Sequence, residues 1–373
     1  MCRSFALSYL LLFSFFSFSS VGTAQPVAAP DLPEGTRVEK LMDGLDVVWG
    51  LEPLTEEEAL VTLKNGKMFF INFSTKKRTQ IEGVPAVSTR GQAGLLDVRL
   101  SPDFKKDQLI YFTYSKKIQS GDATALARAR YIAGKNTLSD VTDLFVGKTD
   151  NSGGVHFGSR IAFDLKGHLF FGIGDRGERD RAQELSWHNG KIIRLKMDGS
   201  VPADNPFVSD KKALPEIYSL GHRNPQGLYY SQKDGKLYNC EHGPRGGDEI
   251  NEVRKGANYG WPVITFGREY YGPKIGEGSA KAGMEQPLKV FVPSIAPSSL
   301  IKYESGRIKA FSDSFIQGAL VLQHLNVVSA DGKKESRYLE SMSKRIRQVK
   351  ESPAGNLFFT TDSGEIYKIS PSK

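Results

Sequence analysis

The sequence predicts an all-β fold, a six-bladed β-propeller. Three observations lead there. A strand–turn–strand unit with an aromatic second strand recurs about six times. Its turns carry Gly, Asn or Asp. No long apolar stripe of helical period competes with it. The 373 residues include 38 Gly, 22 Phe and 14 Tyr, a composition that suits many strands and tight turns.

The units follow one another along the chain. They read LVTLKNGKMFFINF (60–73), PDFKKDQLIYFTYS (102–115), FDLKGHLFFGIGD (163–175), SQKDGKLYNCEHG (231–243) and SPAGNLFFTTDSG (352–364), with a degraded copy in FSDSFIQGALVLQHL (311–325). Their spacing is irregular, roughly 40 to 70 residues, within and above the range of propeller blades. The stretch DRAQELSWHNGK (180–191) reads as a helical turn inside a loop. A β-sandwich or a pair of β-domains is the alternative, and repeats at this spacing argue against it.

The first residues read differently. MCRSFALSYLLLFSFFSFSSVGTAQP has one early cation, Arg3, an apolar run and a small-residue end at Gly22-Thr23-Ala24. That pattern predicts a signal peptide over 1–24 and export to the periplasm or beyond. The run is short and serine-rich for a membrane span, so no stable membrane insertion is expected after cleavage. An extension over 25–40 and a propeller over 41–373 follow. Export leaves Cys240 as the one cysteine, expected as a small buried core residue, so a large core or bound metal must hold the fold. The net charge of +8 is spread along the chain. Without a long basic tract it gives no sign of nucleic-acid binding and reads as a solvated surface.

Several stretches carry chemistry. GGVHFGSR (153–160) sets His156 among glycines, as a core residue, a metal ligand or a general base. GIGDRG (172–177) has the spacing of a dinucleotide fingerprint but no βαβ surroundings, so that reading is excluded. EHGPRGGDEINEVRKGANYGWP (241–262) packs Glu241, Asp248 and Glu249 into a Gly-rich loop. Its carbonyls and carboxylates suit Ca²⁺, or it is a solvated turn before a packed corner. In SLGHRNPQGLYY (219–230), Arg223 and Asn224 offer hydrogen bonds to an anionic or carbonyl-rich ligand, or end a strand. KRIRQV (344–349) puts Arg345 and Arg347 on one face of a strand.

Taken together these pieces resemble the soluble sugar dehydrogenases that depend on pyrroloquinoline quinone (PQQ), and within them the aldose sugar dehydrogenase branch. The resemblance runs from about Leu41 to Ile369. It rests on GQAGLLDV, GGVHFGSR, GIGDRG, GHRNPQG and GPRGGDEIN through NYGWP, in that order. It implies a six-bladed propeller that oxidises aldose sugars at C1 to lactones and passes electrons to an external acceptor such as a quinone or a cytochrome. By the resemblance His156 is the catalytic base, Asp175 its support and Arg223 the stabiliser of the reduced quinone oxygen. Gln92, Arg223, Asn224, Tyr270, Arg345 and Arg347 become PQQ contacts. Gly243 and Pro244 become carbonyl ligands of a Ca²⁺ beside PQQ, and Glu249 with the Tyr259 carbonyl a second, structural Ca²⁺ site. Where the family often has a Lys, this chain has Gln323 and His324, so either a cationic contact to PQQ is missing or His324 replaces it. A calcium-dependent propeller hydrolase and a non-catalytic secreted binding propeller are the alternatives.

Overall fold

The computed structural model describes residues 31–149 and 153–372. The stretch read as a signal peptide, and residues 25–30 after it, lie outside the described residues. Six antiparallel sheets of four strands each follow one another along the chain, as blades 1 to 6. The first strands of the blades are Val48–Pro53, Leu95–Leu100, Ile161–Phe163, Pro225–Tyr230, Ile301–Lys302 and Ile346–Glu351. Each touches the first strand of the next blade, and the sixth touches the first, so they close a ring around a central channel. Blade 6 takes its outer strand, Thr36–Met42, from the start of the described chain, paired antiparallel with Ile366–Pro371. Residues 36–40, expected to precede the propeller, thus belong to its closing strand. Closure in this way ties the two ends of the chain into one sheet.

Local chemistry explains the blades. Strand residues alternate between the two faces, and both faces of a blade pack on neighbouring blades. Leu60 and Met68 of blade 1 bury against Val98, Ile110 and Phe112 of blade 2. Ile316 and Leu325 of blade 5 bury against Val349 and Phe359 of blade 6 in the same way. The turn KDGK closes on Gly235, whose φ of +70° is a left-handed value that other residues resist. Cys240 is fully buried, as its apolar setting predicts. A short 3₁₀ turn, Arg179–Gln183, occupies the loop where a helical turn is expected.

Each of the six repeats falls in a different blade, but not in the same phase. Four span the turn between a blade's first and second strands. Those at 60–73 and 311–325 span the turn between the second and third strands, Glu58–Leu63 to Met68–Asn72 and Ser314–Gly318 to Leu325–Ser329. The slip explains the irregular spacing, because any antiparallel hairpin around a Gly-containing turn produces the same pattern.

The ring also fixes where side chains meet. All six first strands run in one direction along the channel. Residues just before a first strand, or just after a second strand, therefore gather at one mouth. Gln92, His156, Arg223 and Asn224 precede first strands, and Asp175 and Gly243 follow second strands.

Candidate active site

A cavity of about 620 Å³ opens at that mouth. Among its lining residues are Gln92, His156, Arg223, Gly243, Pro244 and Tyr270. Its volume is in the range of small-molecule sites.

His156 is held in an unusual backbone state. Its φ is +53°, between Gly154 at +70° and Gly158 at +67°. A non-glycine residue there stores strain and needs its surroundings to hold it. Its N–H donates to Gln92 Oε1 at 2.8 Å. The glycines of GIGDRG permit the close approach of this loop. A Cβ on Gly174 would stand 2.2 Å from the His156 carbonyl oxygen, and one on Gly158 would stand 2.4 Å from that of Gly172. The spacing that mimics a dinucleotide fingerprint is thus a packing requirement.

The imidazole Nδ1 lies 2.6 Å from Asp175 Oδ1. Asp175 is 2% exposed. Burial alone would raise its pKa, but the hydrogen bond and charge of His156, with the Gly177 N–H, hold it below the ordinary carboxyl value. An ionised carboxylate only accepts, so His156 Nδ1 carries the hydrogen of this bond. The opposite oxygen, Asp175 Oδ2, accepts from Trp261 Nε1 at 2.8 Å.

Arg223 is half-buried beside this pair. Its backbone carbonyl accepts from the Asp175 N–H at 2.7 Å. Its guanidinium donates to the carbonyls of Gly243 (2.8 Å) and His242 (3.2 Å), and stands 5.4 Å from the Trp261 ring centre. His242 is a second imidazole on the cavity wall. Burial, then the charge of Arg223, pushes its pKa down to about 3, so it is neutral. Asn224 is buried, accepts from Gln226 at 3.1 Å and does not line the cavity. Arg345 and Arg347 share one carboxylate. Their Nε atoms donate to Asp362 at 2.8 and 2.7 Å. Arg345 also donates to the Leu320 carbonyl, next to Val321 of the cavity wall.

Two oxygen-rich places lie close by. Gly243 and Pro244 line the cavity, and Asp248 braces their loop by accepting from the Gly243 N–H at 2.8 Å and the Ala296 N–H at 2.7 Å. Burial pushes the Asp248 pKa up to about 6. Behind them is a void of about 20 Å³, room for one ion or water, bordered by Glu241, Glu249, Tyr259 and Trp261. Glu241 and Glu249 stand directly opposite on adjacent strands. Like charges in that register repel. Burial, then the Glu241 charge, pushes the Glu249 pKa up to about 8. Two carboxylates beside a small void form a donor set that fits a hard divalent cation.

His324 does not take the place of a cation. It is fully buried, and burial holds its pKa below the ordinary value, so the ring is neutral. Its Nδ1 faces the Leu322 carbonyl at 3.1 Å, and Val321 is the residue of this segment on the cavity wall. Sequence reading also missed Trp261 and Asp362. Trp261 stood out only as part of the packed NYGWP corner, and Asp362 lies in an ordinary hairpin turn.

Fold and site together define a six-bladed propeller with a paired His and Asp beside a cavity at one mouth of its channel. A family model for glucose/sorbosone dehydrogenases matches residues 45–368. The aldose sugar dehydrogenase YliI of Escherichia coli (strain K12) is 39% identical over 348 residues, 91% of this chain and 94% of that protein. The crystal structure of the soluble aldose sugar dehydrogenase from Escherichia coli in the apo-form superposes with a TM-score of 0.87 at 38% identity, covering 90% of this chain and 100% of that one. The PQQ-bound form of aldose sugar dehydrogenase from Streptomyces coelicolor gives a TM-score of 0.76 at 26% identity, covering 92% and 100%. The chain belongs to the glucose/sorbosone dehydrogenase family and is an oxidoreductase.

Proposed function

We propose that this protein oxidises aldose sugars at C1 to lactones with PQQ as its cofactor, and that Ca²⁺ supports the site. The observation that carries the reading is the His156–Asp175 pair on the wall of a cavity that also holds Arg223. His156 Nε2 takes the proton of the C1 hydroxyl, as neutral imidazole does near physiological pH. Asp175 fixes the tautomer and stabilises the imidazolium that forms. When bound, PQQ supplies the electron sink that accepts hydride from C1. Arg223 offers a cation to a quinone oxygen that gains charge. Gln92, which keeps the His156 loop in place, Asn224 and Tyr270 would contact the cofactor. Arg345 and Arg347, oriented by Asp362, suit the carboxylates of PQQ.

The Gly243 and Pro244 carbonyls would hold Ca²⁺ beside the cofactor, where the cation acts as a Lewis acid. Glu249, Glu241 and the Tyr259 carbonyl would hold a second, structural Ca²⁺. The propeller domain is exported, in accord with the signal-like first residues, and hands its electrons to a quinone or a cytochrome. The test is a mature chain starting at Gln25, supplied with PQQ and Ca²⁺, and aldose-dependent reduction of a dye acceptor. The expected result is turnover that needs both additions. Lactone hydrolysis without PQQ, and no dye reduction with it, would sink the proposal.

A further inference from the structure

We infer that Trp261 is a positioning residue of the dyad, which sets the orientation of Asp175 and, through it, the basicity of His156. The inference rests on the catalytic reading above. Asp175 has two carboxylate oxygens with different partners. Oδ1 accepts from His156 Nδ1 at 2.6 Å and from the Gly177 N–H at 2.8 Å. Oδ2 accepts from the indole of Trp261 at 2.8 Å. The indole comes from blade 4 and grips a carboxylate of blade 3, so it fixes the carboxylate plane across a blade junction.

Trp261 is itself firmly held. It is 6% exposed, its backbone N–H donates to the Gly221 carbonyl at 2.9 Å, and its backbone carbonyl accepts from Gln183 at 2.8 Å. The guanidiniums of Arg223 and Arg179 stand 5.4 and 5.7 Å from its ring centre. Trp261 is not on the cavity wall, so it acts on the reaction only through its neighbours.

The physical effect has a definite sign. A hydrogen bond donated to Oδ2 stabilises the carboxylate and draws charge away from Oδ1. Without it, Asp175 interacts more strongly with the imidazolium and less strictly with one ring orientation. The base then holds its proton more tightly, and fewer molecules carry it in the productive pose.

The experiment compares wild-type and Trp261→Phe holoenzyme, which keeps an aromatic ring and loses the N–H. The expected result is a kcat lower by roughly tenfold, the scale seen when partners behind a reacting group are removed, with KM within about twofold. The acid limb of the kcat–pH profile should move up by about half a unit. The His156 imidazole, followed by NMR in the protein without added PQQ, should titrate higher by a similar amount. Should Trp261→Phe fail to fold, the benzothiophene analogue of Trp at 261, with sulfur in place of N–H, makes the same test. A lower kcat with an unmoved acid limb and an unmoved His156 titration would overturn the inference. An inactive wild type would instead strike the catalytic reading, and the NMR titration would still judge Trp261.

Discussion

The two mouths of the channel enclose cavities of equal size, about 620 Å³ each, and differ in how they treat charge. The far mouth is lined by Glu52, Asp97, Arg99, Arg160 and Lys350. There the opposite charges find each other. Arg160 pairs with Asp97 at 2.9 Å, and Glu52 pairs with Arg99 at 3.2 Å and with Lys350. The near mouth differs. Among the described residues His156 is bonded through Nδ1 and not through Nε2, and the Arg223 guanidinium donates only to neutral carbonyls. Volume does not mark the active site. What sets the near mouth apart is an imidazole whose Nδ1 is held by a buried carboxylate, beside a guanidinium bonded to carbonyls.

The sharpest break of this comparison is His156→Ala. Turnover should fall by about 10²–10⁴, the contribution of a positioned general base, in a steady-state dye-reduction assay. Glu52→Gln at the far mouth should leave kcat of the folded protein within about twofold, because it lies in the other cavity. Comparable losses from both would erase the distinction.

Asp175→Asn comes next. The amide keeps the size but no longer compels the Nδ1–H tautomer, so kcat should fall by on the order of 10²-fold with the fold intact by circular dichroism. An unchanged kcat would show that the tautomer is set elsewhere. Gly174→Ala should follow, since its methyl would collide with the His156 carbonyl. A loss of about 2–3 kcal/mol in a denaturant titration and a slower enzyme are expected.

The far mouth has its own signature in stability. Burial, then the charge of Arg99, lowers the Lys350 pKa from 10.5 to about 8, against the pull of Glu52. Between those values the unfolded chain binds a proton that the folded chain does not. Stability should therefore rise with pH from about 8 to 10.5, by on the order of 3 kcal/mol at most. Lys350→Met should flatten that rise in Tm measured against pH. The smallest effect belongs to Gly235→Ala, in a turn next to the far mouth, at the opposite end of the channel from His156. It should cost about 1 kcal/mol and leave kcat unchanged.

The strands and the tight turns were legible because alternation and Gly-containing hairpins are local. The site was legible in part for the same reason. His156 and Asp175 stand on either side of one hairpin, so a single stretch of chain carries both. Arg223 and Asn224 showed themselves as a polar pair before a proline. What these residues do was readable mainly by resemblance, since His156 alone fits a core, a ligand or a base equally well.

The sequence by itself determined the repeating hairpins, the closeness of His156 to Asp175 and the glycines that let their loops touch. Only the tertiary structure decided the phase of the repeats, the use of Thr36–Met42 as the closing strand and the reach of Trp261 from blade 4 to Asp175. It also decided that His324 is neutral and buried, and that Glu241 confronts Glu249 across two strands. The reason is range. A turn or a strand answers to its nearest neighbours in the chain, whereas these contacts join different strands or blades. They exist only once six first strands, all running one way, have closed the ring.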